Sequence, residues 1–363
     1  MKITAVKTRQ FRIPLPVVLS DSTHGDMTHF GLITCEVETD TGANGLGYTY
    51  TVGDIGSHAV HALLKHDLAP LLVGANPRRV EAIWDHMWWH IHFHGRGGIA
   101  AFAMAAADIA CWDARSNAEG CPLWQTLGGH SDRVQAYAGG IDLQFTLDTL
   151  LEQSRQFRAN GFRAIKMKLG RKNLSEDVER VAAMRAELGD DFPLLADANM
   201  AWRVDQAVRA AQALAPYRLV WIEEPTIPDD IEGHARIIRE GGLPVATGEN
   251  FHTVYEFTNF INRGAVSFPE PDAATLGGIT PWMKVAQLAA ANNLPVTSHG
   301  IHDIHVHLLC AVPNASFLEV HGFGLERFIE HPLELVDGYA VAPERPGHGV
   351  TFDWDQLAEH EVS

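Results

Sequence analysis

The chain has 363 residues, 46% of them hydrophobic and 20% charged, an ordinary soluble composition with length for one large domain or two. Its formal net charge of −17 argues against nucleic acid or an anionic membrane as partner. An anionic substrate would need local positive charge, which a metal and a few lysines can supply. The four cysteines (Cys35, Cys111, Cys121, Cys310) show no ligand spacing and read as reduced thiols of a cytoplasmic protein.

The N-terminus MKITAVKTRQFRIPL alternates like a strand and lacks the apolar core of a signal peptide. ITAVKTRQFRI, FGLITCEVET and GANGLGYTY suit a small antiparallel sheet with a turn near Thr41–Gly42. Helical patterns follow in HAVHALLKHDLAPLL, PRRVEAIWDHMWW and GGIAAFAMAAADIACW. The last is short for a membrane span and contains Asp108, so a buried Ala-rich helix is expected. CPLWQTLGG closes the region on a Gly-Gly stop.

From about Val134 strands and helices alternate. The strand candidates are VQAYAG, RAIKMKL, PLLAD, LVWIE, PVAT, AVSF, LPVTS and ASFLEV, with helical runs such as EDVERVAAMRAELG and VDQAVRAAQALAP between them. This α/β pattern predicts a modified TIM barrel, (β/α)7β, over residues 126–320. Residues 1–125 are expected to form an α+β capping domain, with the Pro/Gly-rich tail 321–363 (GYAVA, GVTFDWD) packing back on it. An open doubly wound sheet is the other option, but QAYAGGID is no GxGxxG phosphate loop.

Three acidic residues stand at the ends of successive strands. Asp197 closes PLLAD, Glu223 closes LVWIE, and Glu249 follows PVATG. Parallel barrel strands end on one face, so these carboxylates converge, and their repulsion calls for a cation. All-oxygen ligation favours one hard ion, Mg²⁺, with positions left for substrate oxygens. Lys166 and Lys168 in RAIKMKLG share one face of a strand. Held together, they should depress one lysine pKa and make Lys168 a base. His299 in TSHG ends the seventh strand, and Asp272 follows the sixth, an arrangement suited to a His–Asp dyad. The two candidate bases then flank the metal, one on each side of a substrate α-carbon, while the metal stabilises an enediolate. Glu319 in FLEV, if protonated by its surroundings, could donate to the substrate carboxylate. Asn199 could point into the same site, whereas Glu224 reads as structural.

KMK, ADANM, IEEP, TGEN, PD…GGIT and SHG…FLE, in this order, resemble the enolase superfamily and within it the mandelate racemase subgroup. The resemblance covers nearly the whole chain. It implies Lys168 and the His299–Asp272 dyad as acid/base groups and Asp197, Glu223 and Glu249 as Mg²⁺ ligands. LSDSTHGDMTHF, WHIHFHGRGG, GGIDLQF, EEPTIPDD, LEVHGF and GVTFDWDQLAEHE are most similar to 3,6-anhydro-L-galactonate cycloisomerases. The chain is also similar, less closely, to acid-sugar dehydratases acting on galactarate or talarate. Either likeness implies a small-molecule sugar-acid substrate and α-proton abstraction, then elimination to a 2-keto-3-deoxy sugar acid. A homo-oligomer is also expected. A hydroxy-acid racemase would instead return the proton on the opposite face. The capping loop should decide among these through His24, Asp26 and Tyr48, with His92, His94 and Arg96; the histidines of WHIHFHGRGG equally suit helix-end packing.

Two other classes fit parts of the pattern. A Schiff-base aldolase would use a barrel lysine, but gives three converging carboxylates no role. A non-catalytic relative should have lost a ligand or a base, and every expected position is filled.

Overall fold

In the computed structural model, which describes residues 1–321 and 324–362, β1 (Ile3–Asp21), β2 (Gly25–Thr39) and β3 (Gly45–Val52) form an antiparallel sheet in that order. The first two strands run well past the FRI and FGL ends read from the sequence. They form a long hairpin whose register is interrupted between Pro14 and Leu19. The tip, residues 22–24, is the segment read above as a capping loop. Of LEVHGF, residues 322 and 323 lie outside the described residues, as does Ser363.

The Ala-rich helix Ile99–Glu119 packs on this sheet. Small side chains allow close approach from both partners: a Cβ on Gly45 would collide with the carbonyl of Ala110, and one on Gly47 with that of Ala106. Asp108 is buried on this helix and accepts from Thr280 N (2.9 Å) and Thr280 Oγ1 (2.7 Å), tying the cap to the first turn of helix Ile279–Ala291. Burial pushes the Asp108 carboxyl up to about 7, against the pull of these bonds. A carboxyl with a raised folded pKa holds a proton that the unfolded chain has released. Its stabilising effect is therefore greatest below the unfolded value and is lost as pH rises towards about 7. The melting-temperature advantage of wild type over Asp108→Asn should accordingly be larger at acidic than at mildly alkaline pH; an advantage independent of pH would contradict this.

The barrel strands are β4 (Arg133–Gly139), β5 (Ile165–Lys168), β6 (Leu194–Asp197), β7 (Ile222–Glu223), β8 (Val245–Thr247), β9 (Phe268–Pro269) and β10 (Phe317–Val320). Pairing is parallel from β4 through β9, and β10 pairs parallel with β4. LPVTS, read as the seventh strand, is reduced to a bridge between Val296 and Ala315. It still closes the ring: Thr297 N donates to Pro269 O (3.0 Å), and Ser316 N donates to Val296 O (2.8 Å). The modified (β/α)7β barrel is therefore present, with its seventh strand shortened.

The tail divides its contacts. β11 (Glu334–Val336) and β12 (Tyr339–Val341, within GYAVA) form a hairpin, and β12 pairs antiparallel with β4, so it joins the barrel rather than the cap sheet. Further on, Val362 N donates to Gln10 O (2.8 Å), Arg12 N donates to His360 O (2.8 Å), and Phe352 packs edge-on against Tyr48 (5.4 Å). Inside the barrel, Tyr137, Trp221, Phe268 and Phe317 form an aromatic plug beneath the site. Trp221 Nε1 donates to Glu223 Oε2 (3.1 Å), so the plug also orients a carboxylate of the site.

Candidate active site

Strand register sets the first row of groups. Lys168 pairs with Asp197, and Asp197 with Glu223. Glu249 reaches the row through Gly248, whose φ of +150° and tight packing on the Glu270 carbonyl leave no room for a Cβ. Asp197, Glu223 and Glu249 each present an oxygen within 4.8 Å of the others. Lys168 Nζ is ion-paired with Asp197 Oδ2. Lys166 Nζ lies 2.6 Å from both Glu223 Oε1 and Glu319 Oε1.

On the opposite side, His299 Nδ1 lies 3.2 Å from Asp272 Oδ2, and His299 Nε2 lies 3.1 Å from Glu249 Oε2. Asp272 Oδ1 accepts from Ala274 N (2.8 Å), which fixes the carboxylate plane. The Tyr50 hydroxyl reaches over from β3 and donates to Asp272 Oδ2 (2.7 Å). The site opens on a pocket of about 260 Å³ lined by Lys166, Lys168, Asn199, Glu249, His299 and Glu319 from the barrel and by Asp21, His24, Phe30 and Tyr50 from the cap.

The electrostatics correct two expectations. Burial and Lys166 press the Lys168 pKa down, but Asp197, Glu249 and Glu223 outweigh them, and it is raised. The paired-lysine effect exists, yet uncompensated carboxylates overrule it. Glu319 is not protonated: burial favours the neutral acid, but Lys166, His321 and His299 hold its pKa well below the usual range. Gly300 N and His321 Nε2 lie 3.1 and 3.3 Å from its Oε2. Burial and the neighbouring carboxylates push Glu223 up to about 8, whereas His299 is raised to about 10, because Glu249, Asp272 and Glu319 prevail over its burial. Three carboxylates brought within 4.8 Å of one another, with oxygen donors only, fit a hard divalent cation.

The cap residues divide. His24 reaches the pocket, its Nδ1 2.9 Å from Asp21 Oδ2, and the pair raises the His24 pKa. The hairpin tip is latched to the barrel: Ser22 Oγ donates to Ala198 O (3.0 Å), and Thr23 Oγ1 donates to Asn199 O (2.6 Å). Asn199 lies at the pocket with φ +40°, its N bonded to Asp197 Oδ1 (2.8 Å). Asp26, in contrast, is exposed and sits opposite Ser20 in the hairpin register. Tyr48 is buried one step down its strand, packed on Phe352, away from this pocket. Arg96 and His94 are exposed. His92 packs edge-on against Trp88 and tilted against Trp89; of the two roles open to it, this is helix-end packing. Glu224 is buried behind the row, held by Asn250 Nδ2 (2.8 Å).

Residues 2–128 match the mandelate racemase / muconate lactonizing enzyme N-terminal domain, and residues 149–356 match the enolase C-terminal domain-like family. The chain belongs to the mandelate racemase / muconate lactonizing enzyme family. It is 52% identical over 360 residues to a 3,6-anhydro-alpha-L-galactonate cycloisomerase of Streptomyces coelicolor, covering 99% of each chain. It is 35% identical to an L-talarate/galactarate dehydratase of Salmonella typhimurium, covering 98% of this chain and 92% of the relative. A crystal structure of a racemase from Streptomyces coelicolor with bound magnesium superposes with a TM-score of 0.97 at 51% identity, covering 99% of this chain and 100% of that one. The Salmonella typhimurium dehydratase liganded with Mg and L-lyxarohydroxamate gives 0.95 at 34%, covering 100% and 93%.

Within this family frame, Asp21, Tyr50 and His321 are among the pocket residues that escaped the sequence reading. Asp21 sits three before His24, an Asx-turn spacing that was available as a signal. Tyr50 is two beyond Tyr48 on the same strand face, and His321 two beyond Glu319. Lys166 permits a stability test. Lys166→Met removes the cation between Glu223 and Glu319 and leaves two buried carboxylates facing each other. We expect a loss of about 3–5 kcal/mol in metal-free urea unfolding. An unchanged midpoint would contradict the assigned ion pairs.

Proposed function

We propose that this chain is a Mg²⁺-dependent enzyme that removes the α-proton of a sugar-acid carboxylate and then eliminates the C3 oxygen to give a 2-keto-3-deoxy sugar acid. The substrate assigned first is 3,6-anhydro-L-galactonate, opened at its ring ether. The observation that carries the reading is the carboxylate row flanked on one side by Lys168 and on the other by the His299–Asp272 dyad. The likeness to a cycloisomerase over nearly its whole length supports the substrate.

Asp197, Glu223 and Glu249 would hold the ion, which when bound stabilises negative charge on the substrate carboxylate as the proton leaves. An ion there would draw on the Asp197 carboxylate that pairs with Lys168 Nζ, and the neighbouring Lys166 would then favour the neutral form of Lys168. Lys168 and His299 share two tasks: one takes the proton from the α-carbon, and the other gives a proton to the departing oxygen as the C3–O bond breaks. The resulting enol tautomerises to the ketone. Lys166 offsets the substrate's charge, Glu319 fixes Lys166, and Asn199 and His24 contact the polyol.

The likeness to a talarate/galactarate dehydratase supports a second reading, loss of a free hydroxyl in place of a ring oxygen. A panel of sugar acids with Mg²⁺, read by keto-acid formation, tests both. Turnover of anhydrogalactonate without turnover of galactarate or talarate is expected; the reverse would favour the dehydratase, and no product from any sugar acid would overturn the proposal.

We further propose division into a cap (1–125, on which the end of the tail 321–363 packs) and a barrel (126–320, joined by the β11–β12 hairpin of that tail), a homo-oligomer, and a cytoplasmic site. Family matches on either side of residues 129–148 support the division. Exposed Trp89, Phe93 and Ile99 support self-association, which light scattering would measure. Four free cysteines, three of them buried, support a reducing compartment. Among the described residues no helix is long and apolar enough to cross a membrane.

A further inference from the structure

We propose that Tyr50 is a positioning residue of the reaction. Its hydroxyl, carried by a cap strand, holds Asp272 so that the His299 imidazole takes its working orientation and tautomer only when the cap is seated on the barrel. The proposal deepens the reading of His299 and Asp272 as a proton-carrying dyad and rests on it.

The geometry is a closed triangle. The Tyr50 hydroxyl lies 2.7 Å from Asp272 Oδ2 and 3.3 Å from His299 Nδ1, and Nδ1 lies 3.2 Å from the same carboxylate oxygen. Burial pushes the Tyr50 phenol well above its usual range, so it stays a donor. One carboxylate oxygen thus accepts from both the phenol and the imidazole. A donor on the phenol directs Nδ1 to carry its own proton towards the carboxylate, which leaves Nε2 as the nitrogen facing the pocket.

The other neighbour of Asp272 cannot take this role. His305 Nε2 lies 3.6 Å from Asp272 Oδ1, but it accepts from Ala273 N (2.9 Å). Burial lowers the His305 pKa to about 4, so the ring is neutral and Nε2 carries no proton to offer. Oδ1 is instead occupied by Ala274 N. Among the described residues, Tyr50 is therefore the donor outside the dyad that orients Oδ2.

The chain is shaped around this contact at a separate place. Gly300, the residue directly after His299, has φ +80°, and a Cβ there would collide with Asp272 Oδ2 and come within 2.7 Å of the Tyr50 hydroxyl. The neighbouring cap residue pins the same loop: Thr49 Oγ1 donates to Ala274 O (2.7 Å). Two consecutive residues of β3 thus seat the cap on the loop that follows β9, but only Tyr50 touches the dyad.

The test compares Tyr50→Phe, which deletes one oxygen, with Thr49→Val, which removes the adjacent tie without touching the dyad. Steady-state kinetics with Mg²⁺ and sugar acid are combined with ¹⁵N-histidine NMR of the protein, the His299 signals being assigned by their loss in His299→Asn. Tyr50→Phe is expected to lower kcat on the order of 10²-fold with KM within about twofold, because the base is misdirected while the substrate site stays intact. Its His299 Nδ1–H signal, which reports the bond to Asp272 Oδ2, should shift and broaden. Thr49→Val should lose as much melting temperature while keeping kcat and the His299 signals. Wild-type kcat in Tyr50→Phe, unchanged His299 signals, or a kcat loss that Thr49→Val reproduces in step with melting temperature would each overturn the proposal. If wild type turns over no sugar acid, the functional reading fails, and the His299 signals alone decide the role of Tyr50.

Discussion

Lys168→Ala and His299→Asn are each expected to lower kcat by roughly 10²–10⁴-fold, the contribution of a positioned proton carrier. Both side chains line the pocket from opposite sides of the carboxylate row, so neither can reach the other's face of a bound α-carbon. The two losses should differ in kind. Abstraction of the α-proton and protonation of the leaving oxygen are separate events, and a variant lacking only the acid still performs the first. One of the two should therefore exchange the substrate α-proton with deuterated solvent while forming no product. Proton NMR of recovered substrate measures this. Full turnover in either variant would remove that residue from the mechanism, and absence of exchange in both would mean that abstraction of the α-proton needs both residues, against the division of tasks.

Glu223→Gln should abolish turnover and weaken Mg²⁺ binding by more than about 100-fold, since even the partners of metal ligands cost 10–100-fold when lost. Glu223 stands at the centre of the row and meets Lys166 Nζ at 2.6 Å and Trp221 Nε1 at 3.1 Å. Glutamine keeps the shape but has a single acceptor oxygen, so it can accept from Lys166 or from Trp221 and not from both; the change removes the charge together with one of these bonds. Asp197→Asn should behave alike. Titration calorimetry reads the metal affinity directly, and dialysis against EDTA followed by assay reads the requirement. Full activity after that dialysis would sink the metal assignment.

The barrel and the carboxylate row were legible because one βα repeat occupies a nearly constant length of chain. Residues that end successive strands must then lie side by side, and Lys168, Asp197 and Glu223 do so through backbone pairing. The seventh strand was overread: LPVTS has strand composition, but it keeps only a bridge. The cap was harder because its contacts are long-range. Tyr48 and Tyr50 share a strand face, and alternation cannot say which stands at the barrel mouth. Composition likewise could not locate the partners of Glu319. Its ionised state depends on Lys166, which is 153 positions earlier by residue number and reaches it across the barrel.

The strand ladder acts as a ruler. Backbone pairing sets Lys168, Asp197 and Glu223 on neighbouring strands, and from there the three carboxylate side chains converge until their oxygens lie within 4.8 Å of one another. The order of these groups is thus inherited from peptide hydrogen bonding and is not free to drift with loop sequence. The hairpin tip that roofs the pocket is attached differently, through the hydroxyls of Ser22 and Thr23 on backbone carbonyls. His24, next to these anchors and not one of them, is free of that duty. It can be exchanged to admit a different polyol while Ser22 and Thr23 keep the tip in place, which separates the freedom to change diet from the obligation to keep the chemistry.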